Sequence, residues 1–402
     1  MKIVVIGGDA RAHAFVQAFA RQGHQVVATD SNPGVPGYTI TPALELSADL
    51  FVISSEKPLV AGLADKLRQQ GKRVIGPGVL GAQLEGSKAF MKELVAAAGV
   101  LTARYMVVTH NNIDEAEAFI RDELGGVAVV KTDYLAAGKG VLECFTLEEA
   151  MADVQHKLQK GEVVVEQHLK GREASAFFLC VCQNGEYDSV AMGSGVDYKK
   201  ALDGDKGRNT GGIGAFSPAP GVDMEDIRQR FIMPTLAELS RRDIPYIGFL
   251  YAGLMVTGDG QYYLLEYNVR FGDPEAEVVL PRITSDLAQV MAEAANGKLI
   301  SQPTFSNKVA VSVVMSSENY PATPRIGDRI MGLEEARATE GVEGVYCAGV
   351  DKDADGNLIT AGGRVVAVTG MGQNLAEARA AAYRGVACIS WPGEHHRNDI
   401  AA

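Results

Sequence analysis

Apolar positions in the first hundred residues follow two alternating periods. Short unbroken runs in "KIVVIGG" (2–8), "HQVVATD" (24–30), "LFVIS" (50–54) and "RVIGPG" (73–78) have the length of buried strands. Between them, "AHAFVQAFARQG" (12–23) and "LVAGLADKLRQQG" (59–71) carry apolar residues at helical spacing, and Gly23 suits a helix C-cap. This order predicts a βαβαβ unit, a doubly wound parallel layer. Ligands of such layers sit at the carboxyl ends of the strands, here residues 7–9, 30–32, 54–57 and 76–78. The helix "SKAFMKELVAAAG" (87–99) follows, with Ser87 as its N-cap.

From about residue 125 the pattern changes to paired strands. "VAVVKTD" (127–133) and "VLECF" (141–145) flank a glycine loop, and a helix at 147–159 precedes "EVVVEQHL" (162–169). "EASAFFLCVCQNG" (173–185) and "YDSVAMGS" (187–194) read as strands, and residues 195–214, rich in glycine and lysine, as a long loop. A helix over 223–242 leads to the hairpin "YAGLMVTGDGQYYLLEYNVRF" (251–271), which turns at Gly258–Gly260. A β-rich tail follows Pro303. The domains expected are a parallel layer over 1–100, a central body over 101–302 and a smaller C-terminal domain over 303–402.

Composition narrows the function classes. A net charge of −12 argues against a general nucleic-acid or membrane-surface role, both of which need a positive face. No apolar run approaches the roughly 18 residues of a membrane span. Five scattered cysteines without a disulfide framework fit a reducing cytoplasm, and Cys180 and Cys182 read as buried thiols on one strand face.

The chemistry-bearing residues cluster. Lys131 on a strand and Lys139 in a glycine loop suit a flap over a polyphosphate, where bare backbone N–H groups and ammonium charge act together. In "EYN", Glu266 and Asn268 share one strand face and can offer two oxygens to a hard cation such as Mg²⁺. Arg270, Asp273 and Glu275 crowd the following "RFGDPE". The strand end at Glu166–Leu169, with Glu173 beyond it, can frame an adenine edge and ribose hydroxyls. The stretch "GDKGRNTGGIGAF" (204–216), with Lys199, Lys200, Lys206 and Arg208, reads as an anion-binding loop. Phosphate, metal and carboxylates together point to phosphoryl transfer by positioning and electrostatics.

"QLEGSKAF", "VVKTDYLAAGKGV", "NTGGIGAFSPAP", "GFLYAGLM", "LEYNVRFGDPE" and "TAGGRVVAVTG" resemble the phosphoribosylamine–glycine ligase (glycinamide ribonucleotide synthetase) family, end to end and in the family's order. The resemblance implies an α/β ATP-grasp fold: a doubly wound preATP-grasp (acceptor-side) domain, an ATP-grasp body with a mobile lid at about 126–183, and a C-terminal β-rich domain. It implies a ligase that uses ATP and Mg²⁺ (or Mn²⁺) to convert a carboxylate into an acyl phosphate, which an amine attacks to give an amide, ADP and phosphate. By matching position, Lys88, Lys131 and Lys139 hold or cover ATP phosphates; Glu166 and Leu169 frame adenine, and Glu173 the ribose. Glu266 and Asn268 ligate the metal. Arg270, Lys139 and Asp273 become the catalytic candidates, with Arg270 suited to clamp a carboxylate bidentately. Small-molecule amine and carboxylate (amino-acid) substrates, no nucleic acid, no membrane, a cytoplasmic setting and a monomer or homodimer follow.

The substrate positions depart from the family pattern. Gly8 is followed by Asp9 and Arg11 where the family has further glycines at a sugar-phosphate turn, and Glu56 lies in an altered "SSEKPL". Asp197 and Lys199 occupy a changed stretch, and Arg208 replaces a proline before Asn209, Thr210 and Gly211. An anion beside Asp9 would meet repulsion of about 1–4 kcal/mol at about 4 Å. The expectation is therefore a diverged ligase with an altered amine or carboxylate. The alternative is the phosphoribosylamine–glycine ligase of purine biosynthesis itself. An NAD-dependent oxidoreductase, prompted by "VVIGGDA", lacks the G-x-G-x-x-G turn. A binding module without turnover is opposed by intact Lys131, Glu266, Asn268 and Arg270.

Overall fold

The computed structural model describes residues 1–134 and 140–402. The expected parallel layer is present. It contains β1 (Lys2–Ile6), α1 (Ala10–Arg21), β2 (Gln25–Thr29), β3 (Leu50–Ile53), α2 (Glu56–Val60), α3 (Leu63–Gln69) and β4 (Val74–Ile75), with parallel strand order β2-β1-β3-β4. Helix α1 begins at once after the first strand because Asp9 caps it, its carboxylate accepting from the Ala12 N–H at 2.9 Å. Phe15, Val16 and Phe19 fall on its buried face. Gly7 turns with φ +152°, and a Cβ there would collide with the Ser54 hydroxyl, so the turn closes only around glycine. Helices α4 (Val79–Gly86) and α5 (Lys88–Ala97) meet at Ser87, whose hydroxyl caps α5 by accepting from the Phe90 N–H at 3.0 Å.

A small antiparallel sheet comes next. Its elements are β5 (Tyr105–Val108), α6 (Ile113–Ala118), β6 (Ala128–Thr132), β7 (Val141–Cys144), α7 (Leu147–Leu158) and β8 (Val163–Gln167), with strand order β5-β8-β6-β7. It has its own apolar core of Val108, Ile120, Val130, Val154, Val163 and Val165.

An eight-stranded sheet, order β13-β12-β9-β10-β11-β14-β18-β15, forms the frame of the molecule. It begins with β9 (Arg172–Gln183), β10 (Glu186–Leu202) and β11 (Lys206–Ser217). After α8 (Met224–Ile227) and α9 (Met233–Arg241) come β12 (Tyr246–Val256) and β13 (Tyr262–Asn268). Helices α10 (Ala276–Val279) and α11 (Leu287–Ala295) precede β14 (Val309–Ser316), and α12 (Leu333–Arg337) precedes β15 (Val342–Cys347). The hairpin β16 (Val350–Lys352) and β17 (Leu358–Thr360), then β18 (Arg364–Gly372) and α13 (Leu375–Val386), complete the order. Strands of the tail after Pro303 thus extend the central sheet, and β9 belongs to this sheet rather than to the small one. Among the described residues, no helix is long and apolar enough to cross a membrane.

One expectation is corrected here. Residues 195–214 are not a loop: they are mostly ladder, with Val196 opposite Phe216, Asp197 opposite Ala215 and Tyr198 opposite Gly214. The pairing of β11 with β14 supplies the second neighbour that a glycine-rich strand needs, because glycine contributes no side chain to the pleat. The hairpin tip is also held from outside: buried Arg397 bridges Asp205 and Asp399, and Asn398 N–H donates to Asp203 at 2.8 Å. Cys180 and Cys182 are buried free thiols, as the strand pattern implied.

Packing fixes one loop above all. The Phe271 ring stacks on Phe177 at 4.6 Å and meets Phe249 edge-on at 4.8 Å and Phe15 at 5.7 Å. Four aromatics from β9, β12, α1 and the end of β13 therefore pin the "RFGD" segment between the parallel layer and the large sheet.

Candidate active site

The first cluster lies where α5, the small sheet and the edge strand β13 meet. Glu266 and Asn268 stand two residues apart on β13, the spacing that turns both side chains to one face. Burial opposes ionisation of Glu266, but Lys88, Lys131, Lys199 and Arg270 outweigh it and hold the carboxyl below its ordinary value. One carboxylate and one amide oxygen make a fitting donor pair for a hard cation that takes its remaining ligands from water and phosphate. Among the described residues, no three His, Cys, Asp or Glu side chains converge into a protein-only cage.

Lys131 is buried on β6, and its Nζ lies 2.9 Å from Glu166 Oε1 and 3.4 Å from the Leu265 carbonyl. The other oxygen of Glu166 takes Lys92 Nζ at 2.9 Å, and Lys92 also donates to Thr102 Oγ1 at 2.6 Å. The Glu166 side chain is thus committed to two lysines, and its backbone lies within the ladders to Tyr105 and Val129. That changes the adenine-frame expectation: the open part of the hinge begins beyond Gln167, at His168 and Leu169. Glu173 is held by Lys199 at 2.5 Å, and Lys199 also contacts Asp197 at 3.0 Å. Lys88 opens α5 beside Ser87, whose hydroxyl donates to Asp133 at 3.0 Å. Lys139 lies outside the described residues.

The second cluster lies at the carboxyl ends of the parallel strands, where the "RFGD" loop reaches them. Asp9, expected to confront an incoming anion, is already engaged: besides capping α1 it pairs with Arg11 at 2.5 Å. Arg11 is almost fully buried and donates to the Phe271 carbonyl at 2.6 Å; it also lies 3.4 Å from Glu56. Burial alone would lower its basicity, but Asp9, Glu56 and Asp273 raise it. Arg270 is equally engaged, with Glu85 at 2.7 Å, Glu56 at 3.3 Å and the Phe271 carbonyl at 3.2 Å. Its fork therefore faces protein carboxylates, so a substrate carboxylate must displace one of them to be clamped. Burial works to raise the Glu56 carboxyl, yet Arg270 and Arg11 pull it down to about 2.

Asp273 is tied to the C-terminal strands. Arg364 lies 2.9 Å from its Oδ1 and donates to the carbonyls of Asp273 at 2.6 Å and Gly211 at 2.8 Å. Its Oδ2 and both carboxyl oxygens of Glu277 are buried without a partner among the described residues. Burial, helped by the neighbouring Asp273, pushes Glu277 well up, while burial and Asp197 bring Glu275 to about 6. Thr210 donates to the Lys199 carbonyl at 2.8 Å, and Gly211 N–H donates to the Tyr320 hydroxyl at 3.0 Å. The Gly8 carbonyl accepts from Asn32 at 3.1 Å. Asn209 sits in the ladder opposite Lys200, and Arg208 is exposed on β11, apart from the connected set.

Sequence reasoning passed over Lys92, Glu85, Arg364 and Glu277. Three of them sit in or beside quoted motifs: Glu85 in "QLEGSKAF", Lys92 one turn after Lys88, and Arg364 in "TAGGRVVAVTG". Nothing local distinguishes them, because their partners are 74 to 184 residues away: Lys92–Glu166 (74), Arg364–Asp273 (91) and Glu85–Val269 (184).

Family profiles described as the N domain, the ATP-grasp (A) domain and the C domain of phosphoribosylglycinamide synthetase match residues 1–85, 86–276 and 310–402. The chain is 40% identical to a phosphoribosylamine–glycine ligase of Leifsonia xyli subsp. xyli, over 100% of both chains. It is 42% identical to one of Streptomyces coelicolor, over 100% of this chain and 99% of the relative. The solved phosphoribosylamine–glycine ligase of Thermotoga maritima superposes with a TM-score of 0.86 at 32% identity, covering 100% of both chains. A biotin carboxylase domain from Hydrogenobacter thermophilus, in complex with MgADP, shares the fold alone, with a TM-score of 0.67 at 18% identity over 98% of this chain and 91% of that one.

Proposed function

Because the chain belongs to the phosphoribosylglycinamide synthetase family of ATP-grasp, C–N-bond-forming ligases, we propose that its substrates are phosphoribosylamine and glycine themselves. The observation that carries this reading is the match to ligases of that name at about 40% identity over the whole chain, with all three parts present. The expectation of altered substrates gives way to it. That expectation rested on departures at Asp9, in the stretches around Glu56 and Asp197–Lys199, and at Arg208; its electrostatic argument was the charge of Asp9, which Arg11 and the N-terminus of α1 neutralise. The same coverage disposes of the oxidoreductase alternative.

The cofactors of the family are ATP and Mg²⁺. In this reading Glu266 and Asn268 hold the metal, which when bound offsets phosphate charge. Lys88 and Lys131 add ammonium charge on the same side, and Leu169 with Glu173 borders the nucleoside. Arg270 orients the glycine carboxylate by exchanging it for Glu56, so the substrate inherits an ion pair already positioned. The amine nitrogen then attacks the activated carbonyl carbon, the C–O bond to phosphate breaks, and a proton leaves the nitrogen. Asp273 Oδ2, buried and without a partner among the described residues, is the acceptor assigned to that proton.

The test is ADP release with freshly formed phosphoribosylamine and glycine, against a panel of other amines and amino acids. Turnover is expected with the purine pair. Turnover confined to another pair would reject this reading and restore the diverged one.

A further inference from the structure

The Lys92–Glu166–Lys131 array contains more than a nucleotide contact. Lys92 is fully buried, so it cannot itself touch a nucleotide in the cleft. It leaves α5 and meets the small sheet at Glu166, and through Thr102 it is linked to β13, since Thr102 Oγ1 donates to the Leu264 carbonyl at 2.6 Å. Glu166 stands between two ammonium groups, one on each oxygen, at 2.9 Å each. Two cations against one anion leave the array with one net positive charge, and Lys131 is the member on the side of Glu266.

We infer that Lys92 is a positioning residue for ATP: by sharing Glu166, it prevents that carboxylate from cancelling the charge of Lys131 and so keeps the Lys131 ammonium available to the phosphates. Without Lys92, Glu166 would pair with Lys131 alone and the array would be neutral. The arrangement has a cost that fits the assignment. Burial pushes the Lys92 amine down to about 8, with Glu166 opposing and the neighbouring Lys131 adding to the fall. A lysine serving only to fill space would not need an ion pair at this depth, where a well-packed apolar side chain is at least as stable. The inference rests on the ATP-dependent reading of the site.

The experiment is a double-mutant cycle read by MgATP affinity and by the KM and kcat of ADP release. Lys92→Met should weaken MgATP binding about tenfold, the order expected for losing one unit of nearby charge, with kcat changed far less. Adding Glu166→Gln restores the single positive charge, and Lys92→Met/Glu166→Gln should return to within about threefold of the parent. Glu166→Gln alone, which keeps both lysines, should bind MgATP at least as tightly as the parent, and it serves if Lys92→Met fails to fold. A double variant as weak as Lys92→Met, or weakened binding by Glu166→Gln alone, overturns the inference. Absence of MgATP binding by the unmodified protein would instead reject the ATP reading.

Discussion

The two sides of the cleft solve opposite electrostatic problems. On the side proposed for the nucleotide, Lys88, Lys92 and Lys131 outnumber Glu166 and Glu266, and surrounding cations favour the ionised Glu266 carboxylate. That side has surplus positive charge, which in the proposed reading a polyphosphate with its cation completes. On the acceptor side, Arg11, Arg270 and Arg364 are each matched by a carboxylate before any substrate arrives. Binding there is an exchange of partners rather than a neutralisation. The lesson is that a carboxylate in a turn reveals little until its own partners are known. Asp9 reads as an obstacle in the sequence and is a helix cap in the fold.

The difference can be broken from either side. The largest effect is expected from Glu266→Ala, which removes the charged metal ligand. Mg²⁺-dependent ADP release should fall by roughly 10³-fold or more with the fold intact by circular dichroism; retained turnover would take Glu266 out of the metal site. Arg270→Met comes next. It strands Glu56 and Glu85, so chemical denaturation should show a loss of about 3–5 kcal/mol, along with a collapse of glycine-dependent turnover. Lys131→Met should cost distinctly less stability, because Glu166 keeps Lys92; equal losses would erase the contrast between the two sides.

A smaller effect is expected at Asp9. Asp9→Ala should lose about 1 kcal/mol of helix capping, whereas Asp9→Asn keeps a capping oxygen. If the Asp9 charge is already neutralised, Asp9→Asn should move the KM for phosphoribosylamine by less than about threefold. A large gain in affinity would revive the repulsion argument.

The pH dependence of stability sharpens the comparison last, through two effects of opposite sign. Glu56 is depressed to about 2 from an ordinary 4.5, so its contribution is complete above 4.5 and is lost as the pH falls toward 2. Glu275 is raised to about 6 from 4.5, so its contribution is complete below 4.5 and lost as the pH rises through 6, a change of about 2 kcal/mol. Urea melts at pH 4.5 and 6.5 should show that fall in the parent, and Glu275→Gln should flatten it.

How much was legible in the sequence follows the same division. The parallel layer, the α5 cap at Ser87 and the Glu266–Asn268 pair are local patterns, set by periods of two or 3.6 and by neighbours a few residues apart. The acceptor side is built from contacts such as Arg11 to Phe271, 260 residues apart, and Arg270 to Glu56, 214 apart. No window along the chain contains both members. The β10–β11 hairpin was missed for a related reason: its glycines leave no alternating pattern, and its edges are supplied by β9 and β14.

The eight-stranded sheet has a consequence for how the molecule comes apart. It carries one continuous hydrogen-bond ladder from β13, which bears Glu266 and Asn268, to β15 in the C-terminal stretch, whereas the small sheet closes on a separate core. Amide protons of β9, β10 and β12 should therefore exchange only through global opening. Those of β5 to β8 should exchange through a cheaper, local excursion. The frame and the small sheet then differ in free energy of opening.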